Sequence, residues 1–296
     1  MAILTANKKV APAPVPSAGA VRPLSAADFQ RFRDLAYNRF GLDLREGKQE
    51  LVAARLGKRM RLGGFTSYAD YYQHVISDSS GQALTEMIDA LTTNHTSFLR
   101  EKAHFDLLAR IVREAGRAAG SMQVWCAASS TGEEPYSILF TMLEAEPTLA
   151  QNRVAPLILA TDISTRVLET ARQGVYARER LRDVPEAWQR NWFTSTPDAK
   201  LRVRPELGRL IEFRRLNLVE PFRHGRVFDV IFCRNVMIYF DRRTQQDLVR
   251  RLHDCLHPGG YLLVGHSESL SGIDHPFTYI RPAVYRRPGG RGTGTR

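Results

Sequence analysis

Residues 124–143 constrain the fold more than any other stretch of the chain. The apolar run VWC at 124–126 changes abruptly into small polar residues, one glycine (Gly132) and two carboxylates (Glu133 and Glu134), and an amphipathic segment follows. This order predicts a β-strand, a tight turn and an α-helix. In an open α/β sheet, the turn after the first strand opens the crevice that binds a nucleotide-like ligand, and the next helix presents free backbone N–H groups there.

The carboxylates of this turn indicate which ligand it suits. Glu133 and Glu134 would repel a pyrophosphate, and a dinucleotide-binding turn has several glycines where this one has only Gly132. An oxidoreductase is therefore the least favoured class. A ligand with ribose hydroxyls, an amine or a positive centre fits better, and S-adenosylmethionine has all three. The alternative is that both carboxylates only stabilise the N-terminus of a helix electrostatically.

Length and composition narrow the class of protein further. The 296 residues suffice for two domains or one large one, and three widely spaced cysteines predict neither a disulfide framework nor a metal knuckle. The histidines show no metal-binding spacing, so we expect no metal. We also expect a cytoplasmic protein without membrane insertion, because no apolar run approaches the roughly 20 residues of a membrane span and no secretory signal is seen. The formal charge of +11 favours an acidic partner, which could be nucleic acid, anionic lipid or a carboxylate-rich protein surface.

The N-terminal part predicts a tail and a small helical domain. Residues 1–24 are rich in Ala and Pro and should be disordered. Helical periodicity predicts four helices between residues 25 and 92, with Ser25 as the N-cap of the first. The polar stretch at 93–104 is interpreted as a linker. On the second helix, basic residues border the apolar ridge and form either a solvated face or a docking surface: Lys48, Arg55, Lys58 and Arg59.

Residues 105–287 alternate between strands and helices, which predicts a parallel, doubly wound sheet. Beyond the strand at 124, we expect strands at 157–161, 210–213, 227–233 and 261–265, and a last one at 277–285. The residues HPGG at 257–260 predict a turn before the fourth of these, and 175–208 predict a small antiparallel insert. Asp162, Asn217 and Asn235 follow strands at the edge where such a sheet binds its ligand. Asp162 either binds ribose hydroxyls or caps the next helix. Residues 288–296 should be a disordered tail.

Four motifs occur in order along the chain: LTTNHTSFLRE (91–101), ASSTGEEPYS (128–137), FDVIFCRNVMIYFD (228–241) and GHSESL (265–270). Together they closely resemble the bacterial chemotaxis receptor methyltransferases, the CheR family, and the resemblance covers about residues 25–287. It implies a small all-α N-terminal domain followed by a Rossmann-like methyltransferase domain with a β-subdomain near 194–209. The implied reaction transfers a methyl group from S-adenosylmethionine to glutamate side chains on chemoreceptor signalling helices, forming methyl esters and S-adenosylhomocysteine.

The resemblance also implies a set of site residues. Arg100 and Tyr239 would act on the methyl acceptor. Residues of the linker and of the strand ends would contact the cofactor: Asn94, Thr96, Arg100, Glu134, Asp162, Asn217, Leu218, Arg234 and Asn235. Which of Glu133 and Glu134 faces the pocket stays open. The basic residues of the second helix would face an acidic receptor surface.

The chain departs from the family at one point. Members that tether to a receptor's C-terminal pentapeptide have a longer, glycine-rich turn in the β-subdomain. In this chain the corresponding turn, residues 194–200, is short and contains no glycine. We therefore expect no pentapeptide docking and direct engagement of the methylation helices. A monomer is the default expectation.

Two other classes stay open. A nucleic-acid methyltransferase would share the cofactor and the fold and use the basic charge on phosphates. The chain lacks the Pro-Pro-aromatic and Pro-Cys signatures of such enzymes, so we expect no nucleic-acid partner. A non-catalytic sensor would bind S-adenosylmethionine or its product and dock a partner through the helical domain.

Overall fold

The computed structural model of the chain describes residues 21–92, 95–116, 121–151 and 156–289. These residues form two units. The smaller unit comprises residues 21–32 and 46–91, and the larger comprises residues 33–45 together with the described residues from 92 onwards. Most of the two predicted tails, at 1–20 and 290–296, lies outside the described residues.

The four helices predicted between residues 25 and 92 are all present. They are α1 (Ala26–Phe40), α2 (Gln49–Leu62), α3 (Tyr68–Ser77) and α4 (Gln82–Leu91). Serine caps set two of their starts, because the Asp28 N–H donates to Ser25 Oγ at 3.0 Å and the Asp70 N–H donates to Ser67 Oγ at 3.1 Å. The apolar ridge of α2 (Val52, Leu56 and Met60) is buried in the smaller unit.

Asp78 organises the turn that leads into α4. Its Oδ2 accepts the Ala83 N–H at 2.7 Å, and its Oδ1 accepts the Ser80 N–H at 2.9 Å and the Ser80 hydroxyl at 2.6 Å. The hydroxyl, followed by the backbone N–H groups, lowers the pKa of the Asp78 carboxyl to about 2. The ionised form is therefore the one that the folded turn favours.

We expect Asp78→Asn to destabilise the protein in a pH-dependent way. A depressed folded-state pKa gives stability that is present above the unfolded pKa of about 3.9 and is lost as the pH falls towards about 2. The difference in unfolding free energy between the native chain and Asp78→Asn should therefore be larger at pH 6.5 than at pH 3.5, as measured by urea denaturation. A difference that is the same at both pH values would contradict this role of the charge.

From α5 onwards the chain belongs to the larger unit and contains both helices and strands. The elements are α5 (Ala103–Ala115), β1 (Val124–Cys126), α6 (Glu133–Ala145), β2 (Ile158–Asp162), α7 (Thr165–Gln173), β3 (Val175–Tyr176), α8 (Glu186–Trp192), β4 (Phe193–Ser195), β5 (Leu201–Val203), α9 (Pro205–Gly208), β6 (Ile211–Arg215), β7 (Phe228–Cys233), α10 (Arg242–Cys255), β8 (Leu256–Val264), β9 (Thr278–Arg281) and β10 (Val284–Arg286). Short 3₁₀ helices occupy Pro147–Gln151, Arg178–Leu181 and Met237–Tyr239.

A seven-stranded sheet of order β6-β2-β1-β7-β8-β10-β9 forms the centre of the larger unit. Its first five strands are parallel, and β10 runs antiparallel to both of its neighbours. Strand β1 is buried on both faces: Val124 and Cys126 point into one apolar cluster and Trp125 points into the other. Helices on both faces cover such a parallel sheet, so its central strands are apolar throughout. The order and direction of these strands are those expected for the crevice predicted at their carboxyl ends.

The C-terminal part of the sheet differs from the prediction in two details. The turn predicted for residues 257–260 is wrong, because β8 begins at Leu256 directly after α10. Pairing with the chain beyond β10 extends this strand: the Gly259 N–H donates to Arg287 O at 2.9 Å, and the Arg287 N–H donates to Gly260 O at 2.8 Å. The single last strand predicted at 277–285 is also wrong. It is the hairpin β9–β10, whose turn includes Ala283 with φ of 62°. The sheet is therefore not wholly parallel.

The predicted antiparallel insert is a three-stranded sheet of order β3-β5-β4. The turn between β4 and β5 is closed by the Thr196 N–H, which donates to Lys200 O at 2.9 Å, and Ala199 adopts φ of 60° within it. In the described part of the chain, no helix combines the length and apolar character needed to cross a membrane.

Candidate active site

The turn after β1 begins at Ser129 and ends at Gly132, the N-cap of α6. Gly132 has φ of 99°, and a Cβ there would lie 2.7 Å from the Tyr176 hydroxyl and 2.8 Å from Ala171 Cβ, so only glycine fits. The Ser129 N–H donates to Thr161 O at 2.9 Å. The Ser129 hydroxyl is buried and has no hydrogen-bond partner among the described residues. The turn thus presents an unsatisfied polar group where a ligand would bind.

Glu133 and Glu134 are both buried, and each pairs with its own arginine. Glu133 contacts Arg180 and accepts the Thr131 hydroxyl at 2.6 Å. Glu134 accepts Arg234 Nη1 at 2.7 Å. Burial raises the pKa of the Glu134 carboxyl, and the Arg234 guanidinium opposes that shift. The side chain that the sequence assigns to the cofactor is therefore also one half of a buried ion pair.

Arg234 connects three segments at the carboxyl edge of the sheet. Its side chain is fully buried, and its guanidinium lies 2.7 Å from Glu134 Oε2 and 2.9 Å from Glu101 Oε2. Nη2 also donates to the Arg100 carbonyl. We call Arg234, Glu101 and Glu134 the buried ion triad. It joins the end of β7 to the start of α6 and to the 95–101 loop.

Glu101 is ionised in this triad. Burial acts to raise the pKa of its carboxyl, but the Arg234 charge and the His266 N–H outweigh burial, and the net pKa is lowered. The neighbouring His104 is buried, and desolvation lowers the pKa of its imidazole to about 4, with Arg234 adding to the shift. The triad is therefore flanked by a neutral histidine.

The 95–101 loop holds Arg100 in an unusual backbone geometry. Leu99 and Glu101, on either side of it, have φ of 53° and 61°, in the left-handed region that side chains rarely adopt. The Leu99 N–H donates to Ser137 Oγ at 3.0 Å, which fastens the loop to α6. Arg100 Nη1 donates to His95 O within the loop at 3.1 Å. The loop is fixed from both sides while the Arg100 side chain is partly exposed.

Thr96 is a second linker residue of the predicted site. The Thr96 carbonyl accepts Arg180 Nη2 at 3.2 Å, so the arginine that contacts Glu133 also holds this loop. Asn94 lies outside the described residues.

A carboxylate that received no role from the sequence organises the end of β7. Glu268 accepts the Asn235 N–H at 2.7 Å, the Gly265 N–H at 2.6 Å and the Ile238 N–H at 3.2 Å. Burial raises the pKa of the Glu268 carboxyl, and these N–H groups oppose the shift. Asn235 has φ of 56°, and this network holds it. The only signal in the sequence was the GHSESL motif, which contains Glu268.

Tyr239 lies in the 3₁₀ helix Met237–Tyr239, which follows the end of β7. Its ring is partly exposed, and its carbonyl accepts the Asp43 N–H at 2.8 Å. The segment after α1 therefore supports the backbone that carries Tyr239.

Asp162 lies at the end of β2 and faces the turn after β1. Its Oδ2 accepts the Ser130 N–H at 2.9 Å, and its Oδ1 accepts the Ser164 N–H at 3.0 Å. The N-cap of α7 is Ser164, whose Oγ accepts the Val167 N–H at 3.4 Å. Of the two roles considered for Asp162, the cap is thus filled by another side chain.

Asn217 and Leu218 both make contacts within the protein. The Asn217 side-chain amide donates to Arg39 O at 2.8 Å and to Glu220 Oε1 at 2.9 Å, and Leu218 is buried in the same apolar cluster as Trp125. Strand ends therefore gather Ser129, Glu134, Asp162, Arg234 and Asn235 at one edge, with Asn217 just past β6. This set of carboxylates, a buried hydroxyl and an arginine fits a ligand with amine, hydroxyl and carboxylate groups.

The four cations considered for docking lie in the smaller unit and differ in their contacts. Arg59 forms an ion pair with Glu86, and Arg55 donates to Leu91 O. Lys48 and Lys58 are exposed. Two of these four cations, Arg55 and Arg59, are therefore bonded to groups of their own unit. We call the four residues the basic ridge of α2.

Two family models together match nearly all of the described chain. The CheR methyltransferase all-alpha domain matches residues 27–92, and the CheR methyltransferase SAM binding domain matches residues 94–285. The chain belongs to the CheR family. The predicted fold class and the cofactor, S-adenosylmethionine, are confirmed.

Relatives of similar length support the same family. The chain is 42% identical over 262 residues to chemotaxis protein methyltransferase 2 of Pseudomonas aeruginosa, a match that covers 87% of this chain and 92% of that protein. It is 41% identical over 266 residues to the chemotaxis protein methyltransferase of Escherichia coli, covering 88% and 91%. The corresponding protein of Borreliella burgdorferi is 36% identical over 269 residues, covering 88% and 94%. As a CheR-family protein, the chain is an S-adenosylmethionine-dependent methyltransferase of chemotaxis.

Proposed function

We propose that this protein methylates glutamate carboxylates on the cytoplasmic helices of chemoreceptors, acting as a monomer in the cytoplasm. One observation carries the proposal: Arg100 is presented by a loop whose backbone is pinned by the buried ion triad at the carboxyl edge of the sheet. A partly exposed cation on a rigid backbone suits an anionic acceptor.

The acceptor determines what the chain has to do. A free glutamate has a pKa of about 4.3 and is ionised at neutral pH, so no residue has to remove a proton. S-adenosylmethionine supplies the methyl group on a positively charged sulfur. The protein has to align the acceptor oxygen with the methyl carbon and exclude water, so proximity and orientation supply much of the acceleration.

Arg100 and Tyr239 are the residues proposed to position the acceptor. A single charge-assisted hydrogen bond from Arg100 orients the carboxylate, whereas a two-pronged contact would reduce the nucleophilicity of the oxygen. The Tyr239 hydroxyl orients the same group. The partial exposure of both side chains supports these roles.

The cofactor is proposed to lie along the strand ends. Asp162 accepts the ribose hydroxyls, Glu134 lies near the amine of the methionine part, and Arg234 and Asn235 close the pocket. Thr96, Asn94, Asn217 and Leu218 complete the set. Support comes from the unpartnered Ser129 hydroxyl beside these groups.

The basic ridge of α2 is proposed to bind an acidic face of the receptor. Lys48 and Lys58 are the exposed members, while Arg55 and Arg59 also contact groups of their own unit. The exposed lysines should therefore carry most of the attraction, and this attraction should be screened by salt over about 10 Å at 0.1 M.

We expect the double variant Lys48→Glu/Lys58→Glu to raise the KM for the receptor about tenfold or more at low salt, because repulsion slows encounter and weakens docking. Affinity for the cofactor should not change. The matched control is Arg110→Glu/Arg113→Glu, which alters the net charge equally on the exposed face of α5. Equal effects of the two variants would refute a specific role of α2.

We also expect methylation to be independent of the receptor's C-terminal pentapeptide. The β4–β5 turn is closed by its own hydrogen bond and contains no glycine. Initial rates should be the same on an intact receptor and on one lacking its last five residues. A lower rate on the truncated receptor would show that tethering occurs.

The product distinguishes the proposal from its rivals. The protein is incubated with tritiated S-adenosylmethionine and membranes that contain chemoreceptors, and the product is treated with mild alkali. Label in the receptor band that is released as methanol is the expected result, because carboxyl esters are labile to base. Alkali-stable label, label in nucleic acid, or cofactor binding without transfer would each overturn the proposal.

A further inference from the structure

Three potential metal ligands lie close together at the end of the 95–101 loop. The Nδ1 atom of His104 lies 3.6 Å from Glu101 Oε2, and the Nε2 atom of His266 lies 3.8 Å from the same oxygen. One ligand atom from each residue lies within 4.8 Å of the others. Ligands about 2.1 Å from a tetrahedral Zn²⁺ are separated by about 3.4 Å, so the three atoms are close to the spacing that one ion requires.

The state of His104 independently indicates a ligand. The residue is 1% exposed, and neither of its ring nitrogens has a hydrogen-bond partner among the described residues. Leaving a buried polar group without a partner is unfavourable, and a metal–nitrogen bond would offset that cost. Its ring meets that of His266 at a centroid distance of 5.3 Å.

The charges around the histidines nearly balance. The carboxylates of Glu101 and Glu134 are offset by the guanidinium groups of Arg234 and Arg281, so the two negative charges beside the site face two positive ones. The His266 N–H lies 3.2 Å from both oxygens of Glu101 and fixes the orientation of that carboxylate. The His266 side chain is 55% exposed, so an ion has a route from solvent.

We propose that Glu101, His104 and His266 bind one divalent metal ion of the zinc type. Two imidazole nitrogens and one carboxylate oxygen are ligands that Zn²⁺ prefers, and the fourth position is open to water. The sequence predicts no metal because no local spacing connects these residues: His104 is in α5, and His266 follows β8. None of the three residues is among those proposed to contact the methyl donor, although Glu101 forms an ion pair with Arg234, which is one of them.

The test is metal binding by the tag-free full-length protein after treatment with a chelator. Calorimetric titration with Zn²⁺ should give one ion per chain, and Co²⁺ should give the visible absorption of a four-coordinate site. His266→Ala should weaken Zn²⁺ binding at least about tenfold. Because His266 is exposed, this variant should keep the native fold, which its thermal unfolding will verify.

His257→Ala is the matched control, since it removes another exposed histidine, on β8. Its affinity for Zn²⁺ should equal that of the native chain. The proposal fails if no stoichiometric binding occurs, if His266→Ala binds as tightly as the native protein, or if His257→Ala weakens binding as much.

Discussion

Arg234→Met is expected to lower the free energy of unfolding by about 3–5 kcal/mol. The substitution introduces an apolar side chain of similar length but leaves the buried carboxylate of Glu134 and the largely buried carboxylate of Glu101 without their cation. Breaking a buried ion pair by removing one partner costs about this much because the remaining charge is uncompensated. Urea denaturation at neutral pH measures the change.

Two comparisons test the cause of this loss. Arg250→Met removes a cation from an exposed pair with Asp274, whose side chains are 51% and 80% exposed, and should cost less than about 1 kcal/mol. Adding Glu134→Gln to Arg234→Met should recover part of the loss, because one unpaired buried charge is then removed. If Arg234→Met costs no more than Arg250→Met, the triad does not stabilise the fold in this way.

Arg100→Ala is expected to slow methyl transfer by about 100-fold or more, because the group proposed to orient the acceptor carboxylate is lost. The fold should be unaffected, since the side chain is partly exposed and its hydrogen bond to His95 O is accessible to solvent, which can replace it. Initial rates with saturating cofactor and urea denaturation measure the two quantities.

Arg182→Ala is the matched control for this prediction. Arg182 has a side chain that is 83% exposed and was assigned no role in the reaction. Its replacement removes the same charge and should leave the rate unchanged. An unchanged rate for Arg100→Ala would remove Arg100 from the active site.

Local chemistry made much of the fold predictable. Ser25, Ser67 and Ser164 cap helices as their side chains favour, and Gly132 is the one residue type that fits the turn after β1. The β9–β10 hairpin was missed because its turn residue with positive φ is Ala283, and nothing in the sequence distinguishes that alanine from a strand residue.

The sequence indicated the edge of the sheet that holds the site but not the contacts that build it. Asp162 and Asn235 stand at strand ends as their positions predicted. The pairing of Arg234 with Glu101 and Glu134 depends on which strands become neighbours. Glu268 was missed for the same reason, since it acts through backbone groups 30 to 33 residues earlier as well as near ones.

The backbone at this edge carries strain that the rest of the protein must hold in place. Leu99, Glu101, Ser130 and Asn235 have φ of 53°, 61°, 46° and 56°, and each non-glycine residue in this region costs on the order of 1 kcal/mol. Glycine at Leu99 would relieve that strain, yet it would free the loop that presents Arg100. Substitutions that relieve this strain should therefore make the enzyme more resistant to heat but slow its reaction.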